Sequence, residues 1–197
     1  MRKIIGFVVF FGIVSFSVSA QGFYFDIGIG VGGAWTRIDG NDASDFFGGG
    51  NVREIGVDLG IKAGFGPIAN MPLYIVGAIG GVGHRFDDGS NFIQFNSYLI
   101  GPGVIFYPIP LVQLAGTIGF SFLANDTDLP GVVMFGNDGP GFAGDLSVAL
   151  DFGRGLHGVL VGARYFFAVN TLEVSGVRQN TSVLTIFVRY AFRHRIF

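Results

Sequence analysis

Residues 23–36 read FYFDIGIGVGGAWT, and residues 54–65 read EIGVDLGIKAGF. In the first stretch the odd positions are Phe23, Phe25, Ile27, Ile29, Val31, Gly33 and Trp35. The even positions are Tyr24, Asp26, Gly28, Gly30, Gly32, Ala34 and Thr36. In the second, Ile55, Val57, Leu59, Ile61, Ala63 and Phe65 alternate with Glu54, Gly56, Asp58, Gly60, Lys62 and Gly64. One face is apolar throughout, and the other is mostly small or charged. A period of two is the mark of a β-strand. Strands this long with an apolar outer face match the wall of a transmembrane barrel.

Four later segments repeat the pattern. Val112, Leu114, Ile118, Phe120 and Phe122 alternate with Gln113, Ala115, Thr117, Gly119 and Ser121; Phe142, Leu146, Val148, Leu150 and Phe152 alternate with Ala143, Asp145, Ser147, Ala149 and Asp151. Val159, Val161, Ala163, Tyr165, Phe167 and Val169 face away from Leu160, Gly162, Arg164, Phe166 and Ala168. Leu184, Ile186, Val188, Tyr190 and Phe192 oppose Thr185, Phe187, Arg189, Ala191 and Arg193. Segments 73–85 and 92–106 lack a clean apolar parity. Gln94 and Asn96 conflict with the phase of Val104 and Phe106, so a β-bulge near Ser97 or Pro102 is expected there. The count is then eight, even as bacterial barrels require. A membrane helix over Ser97 to Ala124 is the poorer reading. Pro102, Pro108 and Pro110 interrupt it, and a helix-interior proline costs about 3 kcal/mol. In lipid only helices and closed barrels satisfy every backbone group.

Composition agrees. Of 197 residues, 50% are hydrophobic and 13% charged, with 34 Gly and 23 Phe, too apolar for an ordinary soluble surface. A formal charge of −2 without a basic cluster gives no footing for nucleic acid. With no cysteine, disulfide scaffolds, thiol nucleophiles and Cys-based zinc sites are excluded. Residues 1–20 read as a cleaved export signal: Arg2 and Lys3, an apolar run from Ile4 to Phe16, then Val18-Ser19-Ala20. The barrel domain is residues 21–197. A lipocalin-type soluble barrel would turn its apolar side inward, whereas here the inner face carries the charges.

The expected connections alternate. Those after strands one, three, five and seven (38–51, 86–91, 125–141, 170–181) are mostly long and polar, and those at 66–71, 107–110 and 153–157 are short. Short turns in the periplasm and longer loops outside are the rule for outer-membrane barrels. Phe23, Phe25, Phe65, Phe106, Phe152, Tyr190 and Phe192 then mark the periplasmic interface; Trp35, Phe120, Phe122, Phe142, Tyr165 and Phe167 mark the outer one.

On these features residues 22–197 resemble the small eight-stranded outer-membrane proteins, of the OmpA membrane domain and OmpW type. The resemblance implies an all-β, antiparallel, up-and-down transmembrane barrel in the bacterial outer membrane, in contact with its lipids. Phe197 resembles the C-terminal aromatic that the barrel-assembly machinery reads in that family, although counting back in twos meets Arg195 and Arg193. An OmpW-type resemblance also implies passage of small apolar molecules.

Eight strands leave room for side chains or one small ligand, so inner charges need partners. Two clusters are expected, Asp26–Lys62–Arg189 low in the barrel and Asp145–Arg164 above, with Asp58 and Glu54 on the same face. Inward glycines at 28, 30, 32, 56, 60 and 64 either leave empty volume or make room for large neighbours. The expected role is a structural barrel or narrow solute channel, with a plugged adhesin as the alternative. The loops at 38–51, with Phe46 and Phe47, and 125–141, with Leu129, Val132, Val133, Met134 and Phe135, are the candidate sites for an extracellular ligand. A lipid A-modifying enzyme built on His84, with Asp87, Asp88 and Ser90 nearby, ranks last, because such a run is a turn by composition. His84, His157 and His194 recur at no metal-ligand spacing, and DGNDASD (39–45) lacks the EF-hand positions, so neither metal nor cofactor is expected.

Overall fold

The computed structural model describes residues 20–47, 52–68, 71–128, 136, 139–153, 155–173 and 176–193. Residues 1–19, nearly all of the expected export signal, the apolar loop residues 129–135, His194, Arg195 and Phe197 lie outside the described residues, as do the side chains of Phe46 and Phe47. Eight long strands make up the chain: β1 (Ala20–Ile38), β2 (Arg53–Ile68), β3 (Leu73–Asp87), β4 (Phe92–Ile109), β5 (Val112–Leu123), β6 (Gly141–Asp151), β7 (His157–Thr171) and β8 (Arg178–Arg193). Each pairs antiparallel with the next, and β8 pairs back onto β1 from Tyr24↔Arg193 to Ile38↔Gln179. The sheet is thereby closed, which removes its edges. One short 3-10 helix, Ala43–Phe47, follows β1.

Parity decides what each residue meets. Odd residues of β1 and β2 face outward, among them Ile29 and Leu59, and so do Leu146 and Ile186, the latter 68% exposed. Even residues of the first two strands line the lumen, Asp26, Asp58 and Lys62 included, all buried. Aromatic rings gather at the two rims. Phe23 meets Phe65 edge-on at 6.0 Å at the end that carries the described termini, and Phe142 meets Phe167 at 5.9 Å toward the other.

Strands β3 and β4 overturn the expected bulge. Their mutual register runs unbroken from Leu73↔Phe106 to Asp87↔Phe92, and even residues of β4 face out along its length. The irregularity lies instead between β4 and β5, past Phe106. The phase looked broken because both faces are apolar here. Tyr74, Val76, Val82, Leu99 and Ile105 point inward while Ile75, Ile79, Ile100 and Val104 point outward. Gln94 and Asn96 keep the outward parity, at the end where β3 carries Arg85 and Asp87 and the following turn carries Asp88.

The connections also depart from expectation. Those at 39–52 and 124–140 are long, but β3 to β4 spans only 88–91 and β7 to β8 only 172–177, because these hairpins keep pairing beyond the membrane-facing band. The 88–91 turn is held locally: the Asp88 carboxylate accepts from the backbone N–H of Ser90 and of Asn91, each at 2.8 Å, and Gly89 takes φ +91°, where a side chain would be strained. The Arg85 guanidinium, 2.9 Å away, and the Gly89 N–H hold the Asp87 carboxyl below the usual carboxylate range; backbone N–H donors do the same for Asp88. Carboxyls depressed in the folded state stabilise it above their unfolded value, about 3.9, and lose that contribution as pH falls through the depressed value. Carboxyl NMR titration is expected to place both below ordinary aspartate, and Asp88→Asn to speed amide exchange at Ser90 and Asn91.

Candidate functional site: the lumen

The lumen begins, at the end bearing the termini, on a floor of rings. Arg193 ion-pairs with Asp151 and lies over the Tyr107 ring at 5.6 Å. Tyr107 meets Tyr74 at 6.0 Å, and Tyr74 meets Tyr24 at 5.2 Å. Gln113 fixes this layer by donating from Nε2 to the hydroxyls of Tyr107 (2.7 Å) and Tyr24 (2.9 Å). Tyr24 in turn donates to Asp26, 2.8 Å away. Buried tyrosine hydroxyls are thus partnered, as low-dielectric surroundings demand.

Above the floor stands one ionic network. Arg189 contacts Asp26 at 3.4 Å and Asp58 at 3.7 Å. Arg164 contacts Asp58 at 3.3 Å and Asp145 at 3.0 Å. Lys62 completes it with Asp145 at 3.1 Å, and the Thr185 hydroxyl donates to Asp58. Three carboxylates meet three cations, so the formal charges of the group cancel. The two clusters drawn from the sequence are therefore one. Asp26 and Lys62 are register partners, yet the Lys62 ammonium crosses the lumen to Asp145, and Asp58 joins the lower pair to the upper. Of the residues proposed for the lining, Asp26, Asp58, Lys62, Asp145, Arg164 and Arg189 come together here. Glu54 does not. It has the inward parity but sits at the rim with a side chain 48% exposed, and its neighbour at 3.8 Å is His84.

The inward glycines explain how long side chains fit. A Cβ at Gly80 would lie 3.1 Å from Arg164 Nη2, and one at Gly60 would lie 3.2 Å from Arg189 Nη2. Gly30 backs onto the Asp58 carboxylate, and Gly28 onto the Arg189 stem. At these four positions the space opened by glycine is filled by charge, whereas Gly32 and Gly64 lie against neighbouring backbone and Gly56 against Ala34.

The far third mixes apolar clusters with buried polar residues, among them Thr36, His84, Ser121, Asn170, Gln179 and Thr181. Ala34, Val82, Leu99, Ala143, Phe166, Ala168 and Val183 form one buried cluster. Phe86, Ile93, Phe95 and Ala43 form another at the mouth, where the 3-10 helix seats Ala43 inward. Asn125, after β5, donates to Gln179 of β8 at 2.8 Å. His84 is buried against Phe86, ring centroids 4.1 Å apart, with Nδ1 3.0 Å from the Thr36 hydroxyl. Asp87, by contrast, is an outward partner of Arg85, and Asp88 caps the turn, so the loop carboxylates and the histidine occupy different sides of the wall. Sequence reading missed the Asp151–Arg193 pair, although both residues have the inner parity.

No protein-family model matches the chain, and no curated protein sequence matches it. Solved structures do. Ail, the attachment invasion locus protein of Yersinia pestis, solved in complex with the heparin analogue sucrose octasulfate, is 15% identical, with a TM-score of 0.52 over 85% of this chain and 97% of that one. Neisserial surface protein A is 17% identical, with a TM-score of 0.50 over 85% of this chain and 95% of that one. At such identity the likeness concerns fold, and it agrees with the outward apolar face and charged interior described above. The chain is an integral β-barrel with the architecture of the small eight-stranded outer-membrane proteins, to which the OmpA membrane domain and OmpW type belong.

Proposed function

We propose that this protein is a filled outer-membrane barrel whose work is done at its outer end, and that it is not a solute channel. The observation that carries this reading is the unbroken series of buried side chains along the lumen. The Tyr24–Tyr74–Tyr107 floor, the ionic network, the Phe166 layer, the polar Thr36, Asn170 and Gln179, and the Phe86–Phe95 mouth are all buried. A barrel of eight strands has room for side chains or one small ligand, and here side chains fill it. Proteoliposomes holding the refolded barrel are expected to swell in small sugars no faster than empty ones, with or without Asp26→Ala. Swelling that rises with the protein content would establish a channel instead.

Surface contact is the more specific form of this reading. Among the described residues, the outer end carries Asp39, Asp42, Asp45, Glu54, Asp87, Asp88, Asp126, Asp128 and Glu173 against Arg37, Arg53, Arg85 and Arg178. An acidic rim favours a cationic partner over a sulfated one. Binding to polylysine but not heparin, weakening with salt, is the expected result.

A further inference from the structure

The charged lumen residues are distributed unevenly along the chain. The inward faces of β3, β4 and β5 contribute no Asp, Glu, Lys or Arg. With Glu54 set aside at the exposed rim, strands β1 and β2 contribute Asp26, Asp58 and Lys62, a sum of −1. Strands β6, β7 and β8 contribute Asp145, Arg164 and Arg189, a sum of +1, beside the self-neutral Asp151–Arg193 pair. Four contacts, Lys62–Asp145, Arg164–Asp58, Arg189–Asp26 and Arg189–Asp58, join the first group to the last.

Topology gives this split a meaning. Among the eight long strands, every pairing except β1–β8 joins sequence neighbours through a connecting loop. The β1–β8 seam brings together the two ends of the chain, so its loop-closure entropy makes it the last pairing to form. Until it forms, each group faces the lumen with an uncompensated charge, which is costly in a membrane.

We propose that the luminal network is a closure device: opposite net charges on the first two and the last three strands favour shutting the β1–β8 seam and hold back a stable inserted barrel until they meet. This concerns assembly and stands whether or not the closed barrel passes solutes. The charges are required as a balance, so removing one should harm closure more than removing an opposed pair.

The experiment follows refolding of the mature chain into lipid vesicles. Heat-modifiable gel migration reports closure. The fluorescence of Trp35, which faces outward on β1 beside Ser182 of β8 and is the chain's single tryptophan, reports insertion. Asp58→Asn and Arg164→Gln are each expected to slow closure about 10-fold or more, the rate equivalent of part of a broken buried pair, while initial adsorption stays unchanged. The double variant, neutral in both groups, is expected to close within about threefold of the unaltered chain, reading the pair as electrostatic rather than packing. Singles that do not close beside a double that does give the same support. The proposal is overturned if the singles close at the unaltered rate and differ only in unfolding, or if the double is as slow as, or no more able to fold than, the worse single.

Discussion

Arg164→Met is expected to lower the unfolding free energy of the barrel by about 3–5 kcal/mol, the cost of leaving a buried ion without its partner. Arg164 touches both Asp58 and Asp145, at 3.3 and 3.0 Å, and the methionine stem replaces its methylenes without replacing its charge. Asp145 keeps Lys62 and Asp58 keeps Arg189, but Arg189 stands 3.7 Å from Asp58 and already serves Asp26. The lumen is then left one positive charge short. Urea titration in vesicles, read by Trp35 fluorescence and gel migration, measures the loss. A change below about 1 kcal/mol, the range of exposed ion pairs, would mean that water screens the network and that Arg164 is solvated rather than enclosed.

The second large effect comes from the other face. Ile186→Arg is expected to cost about 2–4 kcal/mol, as charged residues do at the bilayer midplane of a barrel wall. Ile186 is 68% exposed and central in β8, flanked by Ala163 of β7 and Val31 of β1. The same substitution on the exposed wall of a water-soluble barrel would shift stability by no more than about 0.5 kcal/mol. The sign and size together therefore test which face meets lipid. Arg178→Ala, at the polar end of the same strand, serves as the near-neutral comparison.

The strands that alternate cleanly were legible because their two faces obey different solvents. In 23–36 and 54–65, lipid selects Ile, Val and Leu while the lumen selects Gly, Asp and Lys, and the period follows at once. Strands β3 and β4 hid their phase because the lumen opposite the charged strands is also apolar. With Val82, Leu99 and Ile105 inside and Ile79, Ile100 and Val104 outside, hydrophobicity carries no period. The polar outward Gln94 and Asn96 then imitate a shift of parity.

Lumen partners were harder to read than lumen residues. Parity fixes that Lys62 points inward, and hairpin register puts it beside Asp26. That it reaches Asp145 depends on strand tilt and on the reach of a long side chain across the lumen, neither of which register expresses. Glu54 shows the opposite error: its parity is inward, but it is the second residue of β2, which starts at the rim, where inward means the mouth and water. The inward glycines admitted two readings from sequence alone. Gly60 and Gly80 resolve them, since the guanidinium groups of Arg189 and Arg164 occupy the space those residues leave.

The filled lumen is most directly tested by single-channel recording of the refolded barrel in planar bilayers, with folding verified on the same sample by heat-modifiable migration. A silent bilayer at every holding potential is the predicted result. Discrete, reproducible openings, altered in size or frequency by Asp26→Ala, would contradict it and make the Asp26–Arg189 contact the gate of a pore.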